Sequence, residues 1–170
     1  MANRRPHTIV VGIGNPDRGD DAAGIMVARL LRDTLAAEGK ADLGHSIEVV
    51  EHDGELTALL SRFDGVSEAF LVDACASGGP GPAVPRGTVL RFDVSTTPLP
   101  QGELGLSTHG FGLAEAIELG RALGQLPSRS IVYAIGGESF EAGAPLSQPV
   151  AAAVAEVATR MLTEITAGAG

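Results

Sequence analysis

The chain has 170 residues, of which 44% are hydrophobic and 19% are charged. A chain of this length and composition buries about two-thirds of its surface on folding, which excludes a disordered protein and predicts one domain over residues 1–170. The formal net charge is −9, and the Lys and Arg residues, 12 in all, are scattered along the sequence. Because phosphate-backbone binding depends on clustered cations, nucleic acid is not expected as a partner.

The single cysteine, Cys75, cannot form an internal disulfide. The sequence shows neither a signal peptide nor an apolar run long enough to span a bilayer. These features predict a protein of the reducing cytoplasm with no membrane partner. Cys75 follows Asp73 by two residues and resembles a candidate nucleophile, but free cysteines are among the most buried residues, so we expect a structural role.

Strands and helices alternate in the first half of the sequence. The β-branched run His7 to Gly12 predicts a buried strand, which leads into the glycine-punctuated turn GIGNPDRGDD. Apolar residues then recur at near-helical spacing from Asp20 to about Ala37, with an acidic pair at the helix start. A strand over Ser46 to Glu51 and a short helix over Glu55 to Phe63 follow.

The second half continues the alternation. The pattern predicts a buried strand over Glu68 to Ala74, a strand over Thr88 to Phe92 after a loop rich in Gly and Pro, a helix from about Thr108 to Leu123, a strand over Ser130 to Ile135, and a closing helix from about Gln148 to Ile165. Such alternation predicts an α/β three-layer sandwich, in which a mostly parallel five-stranded sheet carries helices on both faces. Ligands of these sheets bind beyond the carboxyl ends of the strands.

The turn with Gly12, Gly14 and Asn15 is a candidate phosphate-binding loop. The dinucleotide-binding pattern has a third glycine where this chain has Asp17, and carboxylates at the helix entrance repel a pyrophosphate. We therefore expect these glycines to permit a tight strand-to-helix turn, with no organic cofactor.

Three carboxylates stand near the expected sheet edge. Asp20 and Asp21 suit a helix N-terminus as capping residues, although capping needs only one of them. Asp73 ends the apolar run AFLVD, where a charge is costly unless it is paired, bound to a metal or at the open edge of the sheet. These residues are therefore candidates for a site as well as for structural roles.

His109 follows two candidate N-cap residues, Ser107 and Thr108, and is expected in the first turn of its helix. The helix dipole there favours the neutral imidazole that a metal ligand must be. We expect structural roles for the other histidines: His7, His45 and His52. Two carboxylates and one imidazole leave metal coordination positions open, so the residues alone indicate a metal-linked hydrolase or a metal-binding module.

The segment VVGIGNPDRGDDAAGIMVARLL resembles the N-terminal signature of the hydrogenase maturation proteases. The resemblance continues in FLVDACASG, in GLSTHGFGLAEAIELGRALG, in VYAIGGESFEAGAPLS and in PVAAAVAEVATRML, in the same order. It therefore spans most of the chain and is more specific than any one motif.

This resemblance implies an aspartyl-type endopeptidase with a twisted five-stranded sheet between helices. It implies that Asp21, Asp73 and His109 bind nickel and form the catalytic site. The implied substrate is a nickel-loaded hydrogenase large-subunit precursor, which supplies the nickel and loses a short C-terminal extension. We expect the enzyme to act as a monomer.

One segment departs from the family pattern. After the second strand, family members commonly carry Asp-Gly-Gly-Thr, whereas this chain has EHDGEL from Glu51 to Leu56. Two alternatives remain open at this point. One is a non-enzymatic nickel-binding or nucleotide-binding chaperone. The other is a peptidyl-tRNA hydrolase, whose opening resembles VGIGNP but whose catalytic histidine and basic surface have no counterpart here.

Overall fold

A five-stranded sheet forms the centre of the computed structural model, which describes residues 7–40, 46–76, 84–100 and 112–168. In chain order, the strands are β1 (His7–Ile13), β2 (Ser46–His52), β3 (Glu68–Ala76), β4 (Val89–Asp93) and β5 (Arg129–Gly137). Their order across the sheet is β2-β1-β3-β5-β4, and only β4, at one edge, runs antiparallel to its neighbour. The predicted mostly parallel sheet is confirmed.

Helices cover both faces of the sheet. They are α1 (Ala23–Ala37), α2 (Leu56–Ser61), α3 (Leu113–Ala122) and α4 (Gln148–Ala167). One hydrophobic core joins α1 and α4 to one face, and a second core joins α2 and α3 to the other. The three-layer sandwich expected from the sequence is therefore present.

The central strands are buried on both faces, which explains their nearly continuous apolar sequences. In β3, Phe70 and Val72 belong to the core under α1 and α4, whereas Ala69 and Leu71 belong to the core under α2 and α3. Strand alternation places Asp73 on the same face of β3 as Ala69 and Leu71.

Two helix starts differ from the sequence prediction. The helix expected from Asp20 begins with a 3₁₀ turn over Gly19–Ala22, and α1 starts at Ala23. The helix expected from Thr108 starts at Leu113, because Gly112 has φ −72° and ψ 172° and is extended. His109, which was expected in the first turn of this helix, lies outside the described residues.

The chain reverses direction across the sheet after β2. The connection through α1 carries it from β1 to β2 on one side, whereas the chain that leaves β3 continues to β4 and β5 on the other side. Crevices of α/β sheets open where two such connections diverge, beyond the carboxyl ends of the strands. Here that point lies between the ends of β1 and β3.

Two glycines allow α1 to approach this crevice closely. A Cβ atom on Gly24 would stand 2.3 Å from the carbonyl oxygen of Ile13 and 2.4 Å from that of Val72. A Cβ atom on Gly12 would stand 2.2 Å from the carbonyl oxygen of Gly24. The start of α1, and the turn before it, are thus held directly against β1 and β3.

We predict that Gly24→Ala lowers the free energy of unfolding by about 2–3 kcal/mol, because the new methyl group meets rigid backbone on two strands. Gly120→Ala is the matched control in α3, where the nearest atom is the flexible Cδ2 of Leu60 at 3.1 Å. It should be neutral or should stabilise by up to about 1 kcal/mol through helix propensity. Urea titration of both variants measures this, and equal stabilities would contradict the close approach.

Candidate active site

Asp73 lies at the carboxyl end of β3 with a nearly inaccessible side chain, only 2% exposed. One carboxylate oxygen, Oδ1, accepts a hydrogen bond from the backbone N–H of Ala74 at 2.8 Å. The other, Oδ2, is buried and has no hydrogen-bond partner among the described residues. Burial, together with the negative charge of Asp21, raises the pKa of Asp73 to about 8. Asp73 is therefore predominantly protonated at neutral pH.

Asp21 lies in the 3₁₀ turn before α1 and is 6% exposed. Its backbone N–H donates to the carbonyl of Arg18 at 3.1 Å, and its own carbonyl accepts from the N–H of Asn15 at 3.3 Å. Gly14 has φ +148°, and a Cβ atom there would stand 1.9 Å from the Asp21 carbonyl oxygen. The glycine turn therefore fixes the backbone of Asp21 at the sheet edge. The negative charge of Asp21 acts on Asp73, so the two predicted carboxylates lie near each other at this edge of the sheet.

Asp20 has a different role from the predicted helix cap. Its buried carboxylate accepts hydrogen bonds from the backbone N–H groups of Glu138 (3.0 Å), Ser139 (3.2 Å) and Ser147 (2.9 Å). Burial opposes ionisation, but these bonds outweigh it and hold the pKa of Asp20 below its usual value. The capping interpretation was wrong, because the partners belong to the loop between β5 and α4.

The third predicted ligand, His109, lies outside the described residues, together with Ser107, Thr108 and His45. Within the described ranges, no group of three acidic, histidine or cysteine side chains could hold a metal ion. The two aspartates offer oxygen ligands to a cation. A bound cation would give the buried Oδ2 of Asp73, which has no hydrogen-bond partner among the described residues, a partner. The carboxylate pair fits part of the predicted ligand set, and the complete set stays a prediction.

A cleft lies against the glycine turn that precedes Asp21. Its cavity of about 540 Å³ is lined by six residues of two turns: Gly14, Asn15, Pro16, Asp53, Gly54 and Glu55. The second turn is the segment that departs from the family pattern. It is ordered by its own side chains, since His52 Nδ1 accepts from the N–H of Gly54 at 2.9 Å and the Glu55 carboxylate caps α2. The cleft is thus bounded by the turn that positions Asp21.

A larger cavity, about 1130 Å³, lies between α2 and α3 at the opposite end of the sheet. Its lining includes Ser67 and Ser128, which immediately precede β3 and β5. Because the chemistry of α/β sheets occurs at the carboxyl ends of the strands, and the buried aspartates lie there, the smaller cleft is the candidate active site.

Cys75 is fully buried in β3. Burial, with a further contribution from the charge of Asp73, raises the pKa of its thiol to about 11. A buried protonated thiol is a poor nucleophile, which agrees with the expected structural role.

No helix in the described ranges is both long and apolar enough to cross a bilayer.

The α/β fold of this protein is shared with solved hydrogenase maturation endopeptidases. The hydrogenase maturating endopeptidase HybD from E. coli aligns with a TM-score of 0.70 at 20% identity, covering 95% of this chain and 93% of that one. The [NiFe] hydrogenase maturation protease HycI from Thermococcus kodakarensis aligns with a TM-score of 0.67 at 22% identity, covering 96% and 94%.

A family model described as hydrogenase maturation protease matches residues 52–164. The chain belongs to the hydrogenase maturation protease family. In the comparison with curated proteins, no sequence matches this chain. The family match supports the protease over the chaperone and peptidyl-tRNA hydrolase alternatives.

We predict that Asp73 makes stability depend on pH. Its pKa is raised from 3.8 in the unfolded chain to about 8, so its protonated form stabilises the folded state fully below pH 3.8 and this contribution is lost as pH rises through about 8. Between about pH 5 and about pH 7, the wild type should lose on the order of 2 kcal/mol relative to Asp73→Asn, which has no proton to release.

Urea denaturation of both proteins at the two pH values measures this difference. Parallel losses in wild type and variant would contradict the raised pKa of Asp73.

Proposed function

We propose that this protein is an endopeptidase that removes the C-terminal extension from the nickel-loaded precursor of a hydrogenase large subunit. The observation that carries the proposal is the buried carboxylate pair, Asp21 and Asp73, in a chain of the maturation protease family. The pair lies at the carboxyl edge of the sheet, and the turn that leads to Asp21 lines an open cleft. We propose that this carboxylate pair recognises a cation at a place that a peptide can reach.

Nickel belongs to the substrate in this proposal. Asp21, Asp73 and His109 would supply two carboxylates and one imidazole, a set that leaves coordination positions for groups of the precursor. The Asp73 proton must leave when a cation binds its carboxylate, and the positive charge of the ion favours that loss. A precursor without nickel lacks this charge. We therefore expect the enzyme to bind the nickel-free precursor poorly.

The cleft between the two turns would hold the peptide that contains the scissile bond. Asn15 and Pro16 lie on one side of it, and Asp53 and Gly54 lie on the other. Because the turn that leads to Asp21 forms one wall, a peptide in the cleft would lie near the proposed nickel contacts. We propose that the enzyme acts as a monomer in the cytoplasm, where a buried thiol such as Cys75 stays reduced.

The proposal predicts which substitutions abolish processing. Wild type incubated with nickel-loaded precursor should produce a mass loss equal to the C-terminal extension. Asp21→Asn, Asp73→Asn and His109→Ala should each lower the processing rate at least about 100-fold while remaining folded, because each removes a contact to the ion. His7→Gln, at the far end of β1, and Cys75→Ala are matched controls and should retain wild-type rates.

Mass spectrometry measures cleavage, and a thermal melt confirms the fold of each variant. Binding of the precursor by wild type without any mass loss would support a nickel-binding chaperone instead. Full processing by His109→Ala would remove His109 from the site.

The proposal also predicts that the purified protein retains substoichiometric metal. Three ligands with open positions suit an ion that the precursor already holds, rather than one held permanently by the enzyme. Elemental analysis after dialysis against a chelator measures the metal content. One chelator-resistant zinc per chain would contradict this prediction and indicate an autonomous zinc peptidase, whose metal activates its own water.

A further inference from the structure

Two segments that are far apart in the sequence are joined at the sheet edge. The first is the Asp21 turn, residues 15–22, and the second is the β5–α4 loop, residues 138–147. Backbone hydrogen bonds link them: Gly19 N–H donates to the Ala144 carbonyl at 3.1 Å, and Gly143 N–H donates to the Asp17 carbonyl at 2.8 Å. The contact is close, since a Cβ atom on Gly19 would stand 2.4 Å from the Ser139 carbonyl oxygen.

Asp20 is the centre of this junction. Its N–H donates to the Ser139 carbonyl at 2.7 Å, while its carboxylate accepts from three loop N–H groups, those of Glu138, Ser139 and Ser147. Hydrogen bonds that an ionised acceptor receives are stronger than those between neutral groups. The residue is fully buried, so water cannot replace these bonds when the carboxylate is removed.

We infer that Asp20 is a positioning residue for Asp21: its carboxylate binds the β5–α4 loop to the Asp21 turn and thereby fixes the adjacent residue relative to Asp73. The inference rests on the proposed function, in which Asp21 contacts the nickel of the precursor. Asp20 itself contacts neither ion nor peptide. The acidic pair thus divides into one residue that recognises the substrate and one that holds the recognising residue in place.

The geometry explains why a carboxylate is needed. Oδ2 accepts from both Glu138 and Ser139, and Oδ1 accepts from Ser147. Asparagine would keep one acceptor oxygen and would turn its NH₂ group toward an N–H donor. Asp20→Asn therefore preserves the shape of the side chain but disrupts at least one side of the junction.

The first experiment measures amide hydrogen exchange in the protein without substrate. In Asp20→Asn, the amides of residues 15–22 and 138–147 should exchange faster together, by about tenfold or more, while those of β3 keep their protection. Gly19→Ala is a second variant, which pushes against the Ser139 carbonyl and retains the carboxylate; it should release the same two segments. Faster exchange confined to residues 138–147 would overturn the inference, since Asp20 would then anchor the loop alone.

The second experiment compares the affinities of each protein for nickel-loaded and nickel-free precursor. Asp20→Asn should reduce the preference for the loaded form by about tenfold or more at a temperature where it is folded, because a misplaced Asp21 loses its contact with the ion. Ile165→Ala, buried near the other end of α4, is the control. At a comparable melting shift it should keep the wild-type preference.

An unchanged preference in a folded Asp20→Asn protein would overturn the inference. A wild type that neither prefers nor cleaves the loaded precursor would instead refute the proposed function. In that case, the exchange measurement still decides whether Asp20 fixes the Asp21 turn.

Discussion

The contact between the start of α1 and the ends of β1 and β3 determines the geometry of the site. At Gly24 the helix meets carbonyl oxygens from both strands at a separation that admits no side chain. The 3₁₀ turn that carries Asp21 immediately precedes this contact, and Asp73 follows Val72 in β3. Because helix and strands are held at backbone distance, the two carboxyl groups remain close together, and the negative charge of Asp21 contributes to the raised pKa of Asp73.

The burial of the Asp73 carboxyl group opposes folding. A carboxyl group is costly when its buried oxygen has no hydrogen-bond partner among the described residues, and protonation of Asp73 relieves only part of the cost. Burial of apolar side chains in the cores on both faces of β3 offsets this cost. A desolvated acid that a cation would stabilise is the property that the proposed recognition of nickel requires.

The sheet could be predicted from the sequence because its central strands are apolar runs bounded by turn residues. The same pattern predicted that Asp73 lies near the carboxyl end of a buried strand. The start of α3 was not predictable, since Gly112 is compatible with both helical and extended backbone and the surrounding sequence LSTHGFG contains attractive capping residues. The role of Asp20 was also beyond local reasoning, because its hydrogen-bond partners lie 118, 119 and 127 residues away.

Cys75 can be used as a probe of motion at the carboxyl end of β3. It is the only cysteine, it lies in the same strand as Asp73, and the chain contains no tryptophan that could serve as a fluorescent probe. Since the thiol is inaccessible in the folded state, an alkylating reagent modifies it only when the strand end opens. The labelling rate therefore measures how often the carboxyl end of β3 is exposed to solvent. A bound precursor that covers this strand end would protect the thiol.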